Sequence, residues 1–147
     1  MGSTTSGPAA NSPGVIASKE ELQKLVDSHD LVIFSGPVGP AKNLTCPYTR
    51  KTLTKLDGAG ITYHHHKVGP KGTDSRAALI LICQGVKTVP EGFCLGKYIG
   101  GYDESDGKHV GAPGIMTLLK NGKLKAALDS KDAGALGLSH DNVDLKK

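Results

Sequence analysis

Aromatic residues and long apolar runs are both scarce in this chain of 147 residues. Aromatics make up 4% of the sequence, tryptophan is absent, and hydrophobic residues of all kinds reach 37%. That content suffices for one modest core, while 20 glycines and 8 prolines indicate loops or tails around it. No stretch of about 18 uncharged apolar residues occurs, which excludes a membrane-spanning helix. We expect a single soluble domain.

Concentrated basic charge is also missing. The 18 Lys and Arg residues exceed the 14 Asp and Glu residues, giving a net charge of +4, and they are dispersed along the chain. Proteins that bind single-stranded nucleic acid carry basic grooves interleaved with aromatic side chains, and the sequence has no such pattern. Neither nucleic acid nor a membrane is therefore an expected partner.

The chain has only three cysteines, Cys46, Cys83 and Cys94. This odd, small number does not suit the disulfide framework of a secreted protein, and no pair has the close spacing of most zinc sites. Cys83 and Cys94 lie in apolar segments and are interpreted as core residues. The amino-terminal residues resemble neither a signal peptide nor a mitochondrial leader. We expect a reducing compartment, the cytoplasm.

Changes in composition divide the chain into three parts. Residues 1–17 are rich in Ser, Thr, Gly, Pro and Ala, which predicts a disordered arm. The folded domain is predicted to cover residues 18–129, opening on a capping box formed by Ser18 and Glu21. Residues 130–147 are short of aromatics and are predicted to be a flexible tail.

Helical and strand patterns alternate within the predicted domain. The predicted helices are 18–29, 47–57, 75–84 (capped by Asp74) and 113–128 (interrupted at Asn121-Gly122), and the predicted strands are 31–34, 61–68, 92–95 and 98–99. The last two strands form a hairpin with Gly96 at the first turn position. This alternation predicts an α/β sheet with helices on both faces. Segments 36–45 and 104–112 are interpreted as insertions.

Cys46 stands at the predicted start of a helix. Pro47 suits the first helical position, which makes Cys46 the N-cap residue. A thiol reacts as its thiolate, and the unpaired N–H groups and partial positive charge of a helix N-terminus favour that anion. Lys42, Arg50 and Lys51 add positive charge nearby in the sequence. Cys46 is therefore the candidate nucleophile.

Four segments resemble the glutaredoxins, the glutathione-dependent branch of the thioredoxin fold. In chain order they are Phe34-Ser35, Cys46-Pro47-Tyr48-Thr49 with Arg50, Lys87-Thr88-Val89-Pro90, and Gly96-Lys-Tyr-Ile-Gly-Gly-Tyr-Asp103. One Cys-x-x-Thr box alone is a weak signal, but the set in this order and spacing is specific. The resemblance covers about residues 18–128 and implies a four-stranded mixed central sheet flanked by helices.

The resemblance also implies a groove for glutathione. Pro90 would follow a cis peptide bond, so that the Val89 backbone pairs with the cysteinyl part of the ligand as an added strand. A helix start at Tyr102 and Asp103 would meet the γ-glutamyl end. The implied glutathione-binding residues are Lys42, Lys87, Thr88, Val89, Pro90, Gly101, Tyr102 and Asp103. The segment 36–45 between the strand and Cys46 is longer than is usual in the family. Lys42 is therefore assigned to the groove only because it is close to Cys46 in the sequence.

Thr49 stands where dithiol glutaredoxins carry a second cysteine. The resemblance then implies a monothiol route, in which Cys46 attacks the glutathione sulfur of a mixed disulfide and a second glutathione discharges the enzyme. This deglutathionylation hypothesis makes glutathione and glutathionylated proteins the partners of a monomer. Whether Cys83 or Cys94 can resolve Cys46 stays open.

Two other hypotheses remain open. In the first, Cys46 and bound glutathione hold a [2Fe–2S] cluster between two subunits of a non-catalytic carrier or sensor. That monothiol group carries Cys-Gly-Phe-Ser, so the Pro47-Tyr48 pair favours the catalytic hypothesis. In the second, the long 36–45 link blocks the groove and leaves a binding module.

The run His64-His65-His66 invites a metal hypothesis. In a strand, His64 and His66 share one face and His65 lies on the other, so at most two could ligate together. No Asp or Glu adjoins them. A solvated edge strand is the favoured interpretation, and we expect no metal.

Overall fold

The computed structural model describes residues 13–37, 46–103 and 112–138. The helices are α1 (Pro13–Ser28), α2 (Pro47–Gly58), α3 (Asp74–Ile82), α4 (Ile115–Lys120) and α5 (Lys123–Ser130); the strands are β1 (Leu31–Ser35), β2 (His64–Lys67), β3 (Glu91–Cys94) and β4 (Lys97–Gly100). A 3₁₀ turn, Ala133–Leu136, follows. The predicted order is confirmed, including the interruption at Asn121-Gly122, which separates α4 from α5.

The four strands form one mixed sheet in the order β2-β1-β3-β4. β1 runs parallel to β2 and antiparallel to β3, and β3 and β4 form an antiparallel hairpin. Every residue of β1 is buried, as its continuous apolar run predicts for a central strand with both faces covered. The predicted α/β fold with a four-stranded mixed sheet is confirmed.

Each face of the sheet carries its own apolar cluster, because successive side chains of β1 point to opposite faces. Val32 and Phe34 pack with apolar residues of α1 and α3. Leu31 and Ile33 pack with Leu56 of α2 and with residues of α4 and α5. Helices thus cover both faces, as predicted. No helix within the described ranges has the length and apolar character needed to cross a membrane.

Cys83 and Cys94 are fully buried, one in each cluster. Burial, with a smaller contribution from the negative charge of Glu91, raises the pKa of the Cys83 thiol well above its usual value. Burial and then Asp30 raise the pKa of Cys94 to about 12. Both thiols are therefore protonated at neutral pH, which confirms their interpretation as core residues.

The ordered elements extend past both predicted ends of the domain. α1 begins at Pro13 instead of Ser18, because Val15 continues the apolar face of Leu22 and is itself buried. At the other end, the 3₁₀ turn buries Leu136 in the cluster on the α2 side. The assignments of 1–17 to a disordered arm and of 130–147 to a flexible tail were thus wrong at 13–17 and 130–136. The rest of the predicted arm, and the tail beyond 138, fall outside the described residues.

The hairpin turn lies one residue earlier than predicted. Cys94 pairs with Lys97, so the two turn residues are Leu95 and Gly96, with φ of 51° and 85°. Positive φ at both positions is typical of a type I′ turn. The prediction placed Gly96 first, because leucine rarely adopts this conformation and carries no turn signal in the sequence.

Two other elements differ from their predicted bounds. β2 is shorter than the predicted strand 61–68. α3 ends at Ile82, and its N-cap is Thr73, not Asp74. The Thr73 hydroxyl accepts a hydrogen bond from the backbone N–H of Arg76, which is the contact that a helix cap provides.

The three consecutive histidines lie in β2 at the edge of the sheet, as predicted. His64 stacks on His29, with ring centroids 4.2 Å apart. On the other face, the His65 ring forms a hydrogen bond of 2.7 Å with the Ser35 hydroxyl. Within the part of the chain that is described, no group of three or more His, Cys, Asp or Glu side chains is arranged to hold a metal ion.

These histidines predict a loss of stability in mild acid. Burial, followed by nearby positive charge, lowers the pKa of both His64 and His65 below 6.5. The unfolded chain then binds protons more readily than the folded one. The contribution of these two histidines to the free energy of unfolding is therefore fully present above pH 6.5, and it is lost as the pH drops through the folded pKa values. Urea denaturation at pH 7.5, 6 and 5 measures this. A variant with His64→Thr and His65→Thr should lose less stability over the same range; an equal loss would contradict the assignment.

Candidate active site

Cys46 caps the N-terminus of α2, with Pro47 at the first helical position, as predicted. Its carbonyl accepts hydrogen bonds from the N–H groups of Thr49 and Arg50, at 3.0 and 3.3 Å. The thiol donates to the carbonyl oxygen of Val89, with Sγ and O 3.5 Å apart, and the residue is 6% exposed. The helix start therefore presents the sulfur to the segment that leads into β3.

The peptide bond between Val89 and Pro90 is cis, as the resemblance implied. Lys87 and Thr88, just before it, are exposed. Because Glu91 pairs with Phe34 near the end of β1, this segment and Cys46 meet at the carboxyl end of the central strand. Two segments separated by more than 40 residues thus form one site.

The first turn of α2 also contacts the bend at 101–103. The ring of Tyr48, 50% exposed, lies 4.9 Å from the ring of Tyr102, and the Lys51 ammonium is 5.4 Å from the Tyr48 ring. A cleft of about 570 Å³ opens beside them. It is lined by Pro47, Arg50, Lys51, Thr54, Lys55 and Tyr102. The structure therefore brings the Cys-Pro-Tyr-Thr box and the Gly-Gly-Tyr-Asp segment together.

The prediction that Tyr102 and Asp103 begin a helix was wrong. α4 begins at Ile115, and its first N–H groups are already bonded: Ile115 donates to the Gly101 carbonyl at 2.8 Å and Met116 to the Tyr102 carbonyl at 2.9 Å. The bend caps α4 from outside instead of forming its first turn. Residues 104–111, which make up most of the predicted insertion, fall outside the described residues.

Of the two lysines predicted to bind the glycine carboxylate of glutathione, only one lies within the described residues. Lys87 is exposed beside the cis peptide, where a ligand could reach it. Lys42 falls outside the described residues, as does most of the 36–45 link. The roles of both remain predictions.

Comparison with known proteins decides the family. A glutaredoxin from Vernicia fordii is 32% identical over 108 residues, which cover 72% of this chain and 96% of that protein. The chain belongs to the glutaredoxin family. Its members are glutathione-dependent thiol oxidoreductases. A scan against protein-family models found no match.

Solved glutaredoxins share the fold. Oxidised glutaredoxin 2 of Chlamydomonas reinhardtii is 25% identical with a TM-score of 0.56, covering 83% of this chain and 98% of that one. Wheat glutaredoxin is 26% identical with a TM-score of 0.56, covering 82% and 95%. A buckwheat glutaredoxin–glutathione complex is 22% identical with a TM-score of 0.50, covering 84% and 91%. The glutaredoxin fold predicted from the sequence motifs is confirmed.

Thr49, the residue of this glutaredoxin at the second-cysteine position, is 1% exposed. Its hydroxyl has no hydrogen-bond partner among the described residues. By contrast, the buried Thr52 hydroxyl, one turn on, donates to the Tyr48 carbonyl at 2.8 Å. Thr49 therefore holds a desolvated hydroxyl one helical turn from Cys46.

Thr49→Val should leave the free energy of unfolding unchanged or raise it by about 1 kcal/mol, because an isosteric methyl replaces an unsatisfied buried hydroxyl. The matched control Thr52→Val removes a made hydrogen bond and should lower that free energy by about 1 kcal/mol. Urea denaturation measures both. A larger loss for Thr49→Val than for Thr52→Val would show that the Thr49 hydroxyl is bonded in the folded protein.

Sequence reasoning missed two buried charged residues beside this site. Arg76 of α3 is 3% exposed, and Glu91, at the start of β3, is fully buried. The Tyr98 hydroxyl donates to Glu91 at 2.8 Å. A signal for both was present: Arg76 shares the apolar face of α3 with Leu79, and a carboxylate next to Pro90 in a buried strand needs a hydrogen-bond or charge partner. The predicted strand began at Gly92 and so omitted Glu91.

Proposed function

We propose that this glutaredoxin is a glutathione-dependent thiol–disulfide oxidoreductase that removes glutathione from mixed disulfides through Cys46 alone. The observation that carries the proposal is the placement of Cys46 at the N-cap of α2, against the Val89 carbonyl that precedes cis-Pro90. A helix N-terminus favours a thiolate, and the thiolate is the nucleophile of disulfide exchange.

The proposed reaction consists of two exchanges. The Cys46 thiolate attacks the glutathione sulfur of a mixed disulfide, so the original S–S bond breaks and the substrate leaves as a thiolate that takes up a proton. Cys46 is then joined to glutathione. The thiolate of a second glutathione attacks the glutathione sulfur of this disulfide, which forms glutathione disulfide and restores the Cys46 thiolate. In the net reaction one free glutathione thiol is oxidised to the disulfide level, while the substrate sulfur is reduced to a thiol.

The other thiols support the monothiol form of this reaction. Thr49 offers no sulfur at the second position of the box. Cys83 and Cys94 are free and buried, and both are protonated at neutral pH. Neither is suited to resolve the Cys46–glutathione disulfide. A glutathione thiol from solution is then the resolving group, and a cytoplasmic monomer would meet it there.

Glutathione is proposed to lie along the exposed segment before Pro90 and to reach the bend at Tyr102. Lys87 and Thr88 are exposed beside the cis peptide, half-buried Tyr102 lines the cleft, and Asp103 next to it is also half-buried. The buckwheat relative forms a complex with glutathione. In the proposed complex, Lys87 and Lys42 pair with the glycine carboxylate, and the Val89 and Gly101 backbones line the ligand.

The test combines turnover with spectroscopy. Purified protein is assayed for glutathione disulfide release from glutathionylated cysteine, with glutathione as reductant, and is separately reconstituted anaerobically with iron and sulfide. The expected result is turnover by a colourless monomer. Visible absorption from a cluster, with negligible turnover, would overturn the proposal in favour of a [2Fe–2S] carrier; absence of both would indicate a binding module.

A further inference from the structure

Two buried charged residues, Arg76 and Glu91, lie near the thiol site and take no part in the proposed exchange. We propose that Arg76 is a positioning residue whose buried positive charge favours the Cys46 thiolate while its hydrogen bonds fix the end of β1, and that Glu91 opposes and tunes this effect. The inference rests on the proposed function, in which Cys46 reacts as a thiolate.

Hydrogen bonds place the guanidinium at the exit of the central strand. Its Nη1 donates to the Pro37 carbonyl at 2.9 Å and to the Gly69 carbonyl at 3.5 Å. It also packs so closely on Gly36 that a Cβ there would lie 2.9 Å from Nη1. Arg76 thus reaches from α3 to the carboxyl end of β1, the end at which Cys46 meets the segment before Pro90.

Glu91 belongs to the chain segment that also contacts the Cys46 thiol, and it interacts electrostatically with the Arg76 guanidinium. It follows cis-Pro90 directly, and the carbonyl of Val89 accepts the Cys46 thiol proton. Burial lowers the pKa of Arg76, whereas the negative charges of Glu91 and Cys46 raise it. Such an interaction is reciprocal: if negative charge on the sulfur stabilises the guanidinium, the guanidinium stabilises the thiolate.

The titratable and charged groups that face Cys46 come from several elements. Arg76 of α3 interacts electrostatically with Cys46, Cys83 and Tyr98 belong to the same core cluster as Cys46, Glu91 begins β3 beside that cluster, and Arg50 and Lys51 follow Cys46 on its own helix. The Arg50 and Lys51 side chains are exposed to solvent, where their fields are screened. Arg76 is 3% exposed, so its charge is screened less than theirs.

The hydrogen bonds of Arg76 give it a structural role, and its buried charge adds an electrostatic one. Leu79 and Cys83 occupy the same face of α3, and an apolar side chain could fill the position without the cost of burying a charge. The Arg76 Nε is buried and has no hydrogen-bond partner among the residues that the structure describes. The guanidinium is thus incompletely hydrogen-bonded, which favours a role for its charge.

The test is the pH dependence of Cys46 alkylation by iodoacetamide, followed by mass spectrometry of the Cys46 peptide. Arg76→Met should move the midpoint of the rate–pH curve to higher pH and slow alkylation at pH 7 by about tenfold. Arg76→Lys keeps the charge and should keep the midpoint close to that of wild type. Glu91→Gln keeps the shape of the side chain and should move the midpoint to lower pH.

Opposite shifts for Arg76→Met and Glu91→Gln support the inference, since lost packing cannot move the two in opposite directions. Unchanged midpoints, or shifts of the same sign, overturn it. Should Arg76→Met fail to fold, Glu91→Gln decides alone: a midpoint that rises or stays fixed overturns the inference. Because alkylation requires no glutathione, this result is separable from the wild-type turnover assay, whose failure would count against the proposed function instead.

Discussion

Replacing Cys46 with serine should lower the release of glutathione disulfide from a glutathionylated substrate by roughly a thousandfold or more. Serine has nearly the shape of cysteine and can still donate to the Val89 carbonyl, which accepts the thiol proton in wild type. A hydroxyl, however, is not ionised at neutral pH at a helix N-terminus and forms no disulfide with glutathione. The coupled turnover assay at pH 7 measures the loss.

The matched controls for this prediction are Cys83→Ala and Cys94→Ala. Both thiols are buried, and burial keeps both protonated. Each variant should lose some stability through a small cavity but keep its turnover within about twofold of wild type, since neither sulfur reacts. Turnover retained by Cys46→Ser would show that the nucleophile is another residue. Turnover lost in Cys83→Ala with the fold intact would contradict the monothiol route.

Local signals explain why the position of Cys46 was predictable. Proline directly after a cysteine, at the boundary of a helical pattern, specifies an N-cap without help from the rest of the fold. β1 was equally predictable at 31–34, because four consecutive apolar residues suited to a buried strand have few alternatives. The edge position of His64 and its neighbours followed from their polarity.

The errors arose where contacts distant in sequence decide the structure. Val15 and Leu136 are buried because the two sides of the sheet have room for them, which local composition does not show. Leu95 adopts positive φ because the pairing of Cys94 with Lys97 leaves it in the turn. Arg76 and Glu91 lie 15 positions apart, and only the folded chain shows that they interact.

The contact between the 101–103 bend and α4 could not be predicted from the local sequence. The variant Gly114→Ala tests this contact. Gly114 has φ 95° and ψ 152°, a region that essentially only glycine adopts, and a Cβ there would overlap the Asp103 backbone. Both effects together should lower the free energy of unfolding by about 3 kcal/mol or more in urea denaturation.

The control Gly122→Ala measures the cost of a milder positive-φ strain, in the left-handed region, without any overlap. Gly122 also has positive φ, 81°, but a Cβ there would meet nothing within 4 Å, so the loss should be about 1 kcal/mol. Equal losses in the two variants would show that Asp103 does not pack on Gly114. A larger loss at Gly114 would mean that Asp103 and Gly114, which lie on either side of the predicted insertion 104–112, are in contact. The bend that carries Tyr102 would then keep its place beside Tyr48 because α4 holds it there, with Ile115 and Met116 bonded to its carbonyls.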